Sequence, residues 1–212
     1  MEVLLSTPPR RGRPPKSRDG VVETRELLLR AGLEVLTEKG FSAAGLDEIL
    51  RRGGVPKGSF YHHFESKEAF GAELIERYSA YFVRKIERHL GDTSLSPLQR
   101  LRRFVADAHA GMARHDFRRG CLIGNLGQEM GTLPESFRAR LLDVFADWQT
   151  RFARCLRAAQ DAGELSRQAD CDELAAFFWI GWEGAVLRAK LERSGAPLDL
   201  FGRVFFARLP PG

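Results

Sequence analysis

Gly53-Gly54, followed two residues later by Pro56, is the strongest local constraint in the chain. Adjacent glycines favour a tight turn, and a proline suits the first position of a helix because its φ is already near the helical value. Before the turn, "AGLDEILRR" puts Leu46, Ile49 and Leu50 on the inward face of a short helix that starts after Gly45. After it, "PKGSFYHHF" predicts a helix from Pro56 through Phe64, with Phe60 and Phe64 four residues apart and packed inward. Upstream, "ETRELLLRAGLEVLTEKG" places Leu27, Leu28, Ala31, Val35 and Leu36 near one face with charges opposite, and Gly40 ends that helix. A longer helix propping two short ones around a glycine turn is the order of a helix-turn-helix.

With Phe60 and Phe64 turned inward, Lys57, Ser59, Tyr61 and His62 face out, and Gly58 lets the backbone approach a duplex closely. The run "GFSAAGLDEILRRGGVPKGSFYHHFESKEAF", Gly40 to Phe70, resembles the DNA-binding domain of TetR-family repressors. That family's signature ends in Val-x-Lys-Gly-Thr/Ser-hydrophobe-Tyr-His-x-Phe followed by a lysine, and the likeness covers residues 24–70. It implies a repressor, not an enzyme, that binds a palindromic double-stranded DNA operator as a dimer and is released by a small molecule. Lys57, Gly58 and Ser59 are expected at base edges, and Tyr61, His62 and Lys67 at phosphates. One position departs from the family pattern. Ala44 and Gly45 stand where a threonine often caps the second helix and bonds a phosphate, so the backbone amide of Gly45 is expected to take that contact.

The net charge of +5 is concentrated near the start, in "PPRRGRPPKSR", where Arg10, Arg11, Arg13, Lys16 and Arg18 stand among four prolines with no acid. Such a segment cannot bury apolar surface and is expected to be disordered alone. It is either a solubilising tail or a slim cationic arm, with Arg11 and Arg13 reaching into a narrow minor groove. The chain of 212 residues is 43% hydrophobic, enough for one or two cores, and contains no apolar run of the ~18–20 residues that span a bilayer. A cytoplasmic location and no membrane partner are therefore expected. Three widely spaced cysteines, Cys121, Cys155 and Cys171, argue for reduced thiols rather than a disulfide framework.

Beyond residue 70 the pattern stays helical. A fourth helix runs from Ser66 to about Leu90, a fifth from Ser96 to His115, a sixth from Cys121, a seventh from Pro134 to Asp161, then an eighth, and a ninth from Pro197 to Leu209. No strand-like alternation interrupts them, so the expected fold is all-α. Its expected parts are a basic arm over 1–20, a helix-turn-helix domain over 21–70 and a ligand-binding and dimerisation domain over 71–212. The eighth helix, "LAAFFWIGWEGAVL", is apolar almost all round and must be buried on more than one side. Gly181, Gly184, Ala185 and Ala189 would allow close helix approach there, which predicts a homodimer built from helices eight and nine.

"RRGCLIGNLGQEMG", Arg118 to Gly131, places a cysteine at a helix start beside two arginines, where amide dipoles and positive charge favour a thiolate. Together with "WIGWEGAVLRAKLE" it resembles acrylate-responsive members of the TetR family, and its Gly-Cys-Leu start is similar to members that sense electrophiles through a cysteine. The implied inducer is acrylate or a related electron-poor alkene. Cys121, Asn125, Trp148, Trp179, Trp182 and Glu183 are the candidate ligand residues, with a structural core role as the competing reading for the cysteine and the tryptophans. No cofactor or metal is expected: the glycines at 120, 124, 127 and 131 lack the Gly-Lys-Ser/Thr of a phosphate loop, and His109, His115 and Cys121 share no helix face.

Overall fold

α1 (Arg18–Lys39), α2 (Leu46–Arg52), a 3-10 helix (Lys57–His62), α3 (Lys67–Leu90), α4 (Pro97–Ala113), α5 (Leu122–Gln128), α6 (Glu135–Asp161), α7 (Cys171–Glu192) and α8 (Ala196–Arg208) follow one another in the computed structural model. It describes residues 18–212, with side chains from residue 22 onward, and every regular element in that range is helical. Arg11 and Arg13 lie outside the described residues. α1 begins at Arg18, within the segment assigned to the arm, and the expected boundary at 70/71 falls inside α3.

The helix expected from Pro56 through Phe64 is instead the six-residue 3-10 helix, with Pro56 outside it as the N-cap. Two causes act together. Gly58 costs a regular helix about 1 kcal/mol relative to alanine, and both phenylalanines are drawn into the core. Phe60, Phe64 and Phe70 meet with ring centroids 4.8–5.4 Å apart, and the Arg25 guanidinium lies 4.9 Å from the Phe64 centroid. Gly54 adopts φ +64°, the left-handed turn that glycine makes without strain. On α1, Leu28, Ala31, Val35 and Leu36 are buried as their spacing implies, whereas Leu27, at the edge of the stripe, is 41% exposed.

The larger body surrounds an aromatic cluster contributed by α3, α4, α6 and α7. Trp148 and Trp179 pack 4.8 Å apart, with Phe82, Phe104, Phe152 and Phe178 around them. Ser96 caps α4 reciprocally with Gln99, which stops the helix one residue short of the expected start. Asp170 caps α7 by accepting from Asp172 and Glu173 backbone N–H groups.

α7 has two apolar faces with different fates. Phe178, Trp179, Trp182, Ala185, Val186 and Ala189 are buried within the chain, while Ile180 and Leu191 are each 74% exposed, beside exposed Phe177 and Leu187. Three of the four small residues expected to admit another helix, Gly181, Ala185 and Ala189, pack within this chain instead. A Cβ on Gly181 would lie 2.2 Å from the Phe201 ring of α8, and Ala189 is fully buried. Gly184 faces open space beside Leu200 and Val204. No helix of the described residues is long and apolar enough to cross a membrane.

Phe70 ties the 3-10 helix to α3, and Phe70→Ala is expected to lower stability by roughly 3–5 kcal/mol, the usual cost of emptying a packed phenylalanine site. Urea unfolding followed by far-ultraviolet circular dichroism measures it.

Candidate functional site

The surface that carries the helix-turn-helix is shaped by what its cations already touch. Lys57, Tyr61 and His62 are exposed and Ser59 is half-buried, while Gly45 and Gly58 have open space over their Cα atoms. Gly45 is the N-cap of α2 with extended backbone and no side-chain cap, and its carbonyl accepts from the Glu48 N–H at 3.1 Å, which leaves the amides ahead of Glu48 to meet an anion. The Lys57 ammonium lies 3.1 Å from the Asp47 carboxylate, an exposed pair that sequence reasoning missed. Lys67 differs more from its expected role as a free phosphate grip. Its ammonium donates to the Phe41 carbonyl at 2.8 Å and sits 4.5 Å from the Phe41 ring centroid, and burial lowers its pKa.

A cavity of about 200 Å³ opens between α1, α3, α4, α7 and the segment leading into α5. Cys121, Trp182 and Glu183 line it, together with Leu33 and Thr37 of α1, Tyr78, Phe82 and Lys85 of α3, and Met112, His115 and Arg119. Tyr78, Phe82 and Lys85 stand at positions i, i+4 and i+7, so one face of α3 forms a wall. That spacing was legible, but a mixed aromatic and cationic stripe gives no sign of whether it meets a core or a cavity. Lys85 is held by Asp107 at 2.9 Å, and Arg119 by Glu34 at 3.4 Å and Glu38 at 3.1 Å.

Three of the expected ligand residues are placed elsewhere. Trp148 and Trp179 are fully buried in the aromatic core and do not line the cavity; neither indole N–H has a hydrogen-bond partner. Asn125 shares its helix with Cys121 but points its amide at α1, donating to the Leu36 and Thr37 carbonyls at 3.0 and 2.9 Å. The Thr37 carbonyl is one that the helix's own amides leave unmet, while the Leu36 carbonyl also accepts from the Gly40 N–H at 2.9 Å. Neighbours of Asn125 act alike: the Gly120 N–H donates to Thr37 O at 3.1 Å, and the Glu129 carboxylate accepts from the Phe41 and Ser42 N–H groups at 2.9 and 2.7 Å.

Cys121 is the N-cap of α5 and is 8% exposed, but it is not the thiolate its position suggested. Burial pushes its pKa well above the usual thiol value and the nearby Glu183 carboxylate adds to this; the Gly124 amide and the Tyr78 hydroxyl oppose it without prevailing. The two arginines do not help, since Arg119 is committed to Glu34 and Glu38, and Arg118 faces solvent. Glu183 is pushed up to about 7 by burial, moderated by a hydrogen bond accepted from the Cys121 thiol. Tyr78, Cys121 and Glu183 thus bear on one another's protons at the cavity wall.

Comparison with known proteins matches both parts of the chain. A family described as bacterial regulatory proteins, tetR family, matches residues 28–74, and one described as tetracyclin repressor-like, C-terminal domain, matches residues 97–205. The transcriptional regulator AcuR of Cereibacter sphaeroides is 57% identical over 197 residues, covering 93% of this chain and 90% of that protein. The HTH-type transcriptional repressor NemR of Escherichia coli is 30% identical over 177 residues, covering 84% and 89%. The crystal structure of a regulatory protein TetR from Rhodobacter sphaeroides superposes with a TM-score of 0.86 at 57% identity, over 88% of this chain and 98% of that one.

Two outcomes follow from this geometry. Between the unfolded carboxyl value near 4.5 and about 7, Glu183 keeps its proton in the folded state and loses it in the unfolded state. Its contribution to stability therefore falls as pH rises across that window, by about 1.4 kcal/mol per unit at most. Unfolding titrations at pH 5 and pH 7.5 should show wild type losing stability relative to Glu183→Gln. Asn125→Ala removes one donor each from the Leu36 and Thr37 carbonyls, which keep the Gly40 and Gly120 N–H groups, and is expected to cost about 0.5–1.5 kcal/mol, read by urea unfolding.

Proposed function

The chain belongs to the TetR family of helix-turn-helix transcriptional repressors, and on that premise we propose that it is released from a palindromic operator by acrylate or a related electron-poor alkene. The observation that carries this reading is the cavity that puts Cys121, Trp182 and Glu183 against Leu33 and Thr37 of α1. A ligand there touches the same helix that supports α2 and the 3-10 helix. It needs only to bind the operator-incompatible arrangement better than the operator-fitting one to shift the balance. The ligand's identity rests on the resemblance of the Cys121 and Trp179–Glu192 segments to acrylate-responsive family members. The cysteine in the wall favours a second reading, a repressor that senses electrophiles or oxidants through Cys121.

In this proposal the residues from 21 to 70 form the DNA-binding domain and those from 71 to 212 the ligand-binding and dimerisation domain. Lys57, Gly58 and Ser59 approach base edges; Gly45, Tyr61, His62 and Lys67 hold the backbone, and Arg11 and Arg13 follow the minor groove. Lys67 reaches a phosphate by leaving the Phe41 carbonyl. Two protomers pair through the exposed faces of α7 and α8, where Ile180, Leu187, Leu191, Leu200 and Val204 supply the apolar surface. The pairing sets the two recognition segments on successive major grooves, and ligand spreads them out of register.

Fluorescence anisotropy on the duplex upstream of the protein's own gene tests the sensing claim. Acrylate is expected to release wild type, and a Cys121→Ser variant titrated in parallel reports whether the thiol is required; release by N-ethylmaleimide of wild type alone, with acrylate inert, would establish the second reading instead. For the assembly, Ile180→Glu with Leu191→Glu should yield a monomer in analytical ultracentrifugation and lose operator binding, while Lys57→Ala should stay dimeric and bind the operator at least tenfold more weakly.

A further inference from the structure

Three thiols in this chain are buried, and they differ in what the sulfur meets. Cys155 donates to the Pro97 carbonyl at 3.4 Å and Cys171 to the Gln160 side-chain carbonyl at 3.1 Å. Neither acceptor can take a proton. Cys121, Glu183 and Tyr78 all line the cavity, and Glu183 and Tyr78 are the titratable groups that act on the Cys121 proton. Glu183 reaches the sulfur across Gly124: a Cβ there would lie 1.9 Å from Glu183 Oε2 and 3.7 Å from Cys121 Cβ. The absent side chain at 124 leaves the space that the carboxylate occupies.

Charge in the wall selects the ligand. The strong cations that line the cavity are already paired, Lys85 with Asp107 and Arg119 with Glu34 and Glu38. A ligand carboxylate would sit beside Glu183 and would have to compete with Asp107, Glu34 and Glu38 for those cations, and like charges in a buried site oppose each other. An uncharged ligand meets no such cost.

We propose that Glu183 is the proton acceptor for Cys121, so that this cavity adds the Cys121 thiol across the double bond of uncharged α,β-unsaturated carbonyl compounds. The inference rests on the reading of this cavity as the sensor site. As the sulfur bonds to the β-carbon, the S–H proton passes to the Glu183 carboxylate, and the π electrons move onto the carbonyl oxygen as an enolate. Glu183 then returns the proton to the α-carbon. The product is a thioether and Glu183 ends as it began, with no oxidant or reductant consumed. The raised pKa of Cys121 makes the adjacent base necessary, since little thiolate forms without one. The Tyr78 hydroxyl eases charge on sulfur during attack.

The test is residue-resolved mass spectrometry of full-length protein exposed to acrylamide, methyl acrylate or acrylate, each rate divided by that of glutathione. Cys121 is expected to react with the two neutral probes at least tenfold faster than Cys155 or Cys171, and to discriminate against acrylate beyond the ratio glutathione shows. Glu183→Gln should slow Cys121 by about a hundredfold, in the range typical of a positioned base. Cys155 and Cys171 serve as internal clocks: a variant that merely loosened the fold would speed them up. Gly124→Ala, which displaces the carboxylate and leaves it ionisable, should slow Cys121 in the same way and decides the matter if Glu183→Gln does not fold. An unmodified Cys121, an unchanged rate in Glu183→Gln and Gly124→Ala, or acrylate reacting on a par with the neutral probes would overturn the proposal. Operator binding is followed in the same samples. Adduct without release counts against the sensor function and leaves the proton transfer standing; release by a neutral probe without adduct does the reverse.

Discussion

The last carbonyls of α1 are the point on which the two halves of the molecule depend. A helix end leaves acceptors that its own amides cannot reach, and here the Thr37 carbonyl is met by Asn125 and Gly120, from the segment that also carries Cys121, with Asn125 adding a second donor to Leu36 beside the Gly40 N–H. Just beyond, Glu129 accepts from the Phe41 and Ser42 amides that begin the approach to α2. Hydrogen bonds on both sides of the α1–α2 turn thus fasten the wall of the cavity to the scaffold of the helix-turn-helix. Such bonds are directional, so a shift of α5 alters the end of α1 instead of being absorbed in apolar packing. Arg119, bridging Glu34 and Glu38 on either side of Leu36 and Thr37, extends the same attachment along the helix.

Around that attachment the structure divides its work between shape and charge. The aromatic cluster of α3, α4, α6 and α7 supplies burial, with two indole N–H groups left without partners at its centre. An unmet donor costs on the order of 1–3 kcal/mol, which the burial of two whole indole rings offsets. The outer faces of α3 and α6 are joined by ion pairs instead: Arg140 to Glu76, and Arg151 and Arg154 to Glu87. Exposed pairs of this kind contribute about 0–1 kcal/mol each. They fix the register of the two helices more than they stabilise them.

Most of the architecture was legible because amphipathic spacing repeats over many residues. Among the described residues each expected helical stretch contains a helix, although α1 begins earlier and the segment after Pro56 is shorter than expected, and the inward turn of Phe60 and Phe64 followed from their four-residue separation. What was not legible depended on what each side chain meets. The 3-10 winding at Lys57–His62 comes from tertiary demands on a short segment. Asn125 shares a face with Cys121 in any helix, yet its amide is claimed by α1, an element 88 residues away in sequence. The state of Cys121 was misjudged for a related reason: helix position and flanking arginines argue for a thiolate, but burial and Glu183, far along the chain, decide the balance. Local signals forecast local geometry; charge states are set by neighbours that only folding assembles.

The exposed pair of Lys57 with Asp47 bears on how DNA is searched. In the proposed complex, a phosphate or base that takes Lys57 leaves Asp47 uncompensated and facing a polyanion. Stray duplex, which offers only phosphates, gains little from that exchange, while a matched site recovers the loss through directed contacts. The carboxylate thereby weakens any association that uses Lys57, by a similar factor whether the site is matched or stray. Fewer copies of the regulator are then sequestered on the bulk of a genome, where competing sites vastly outnumber the operator.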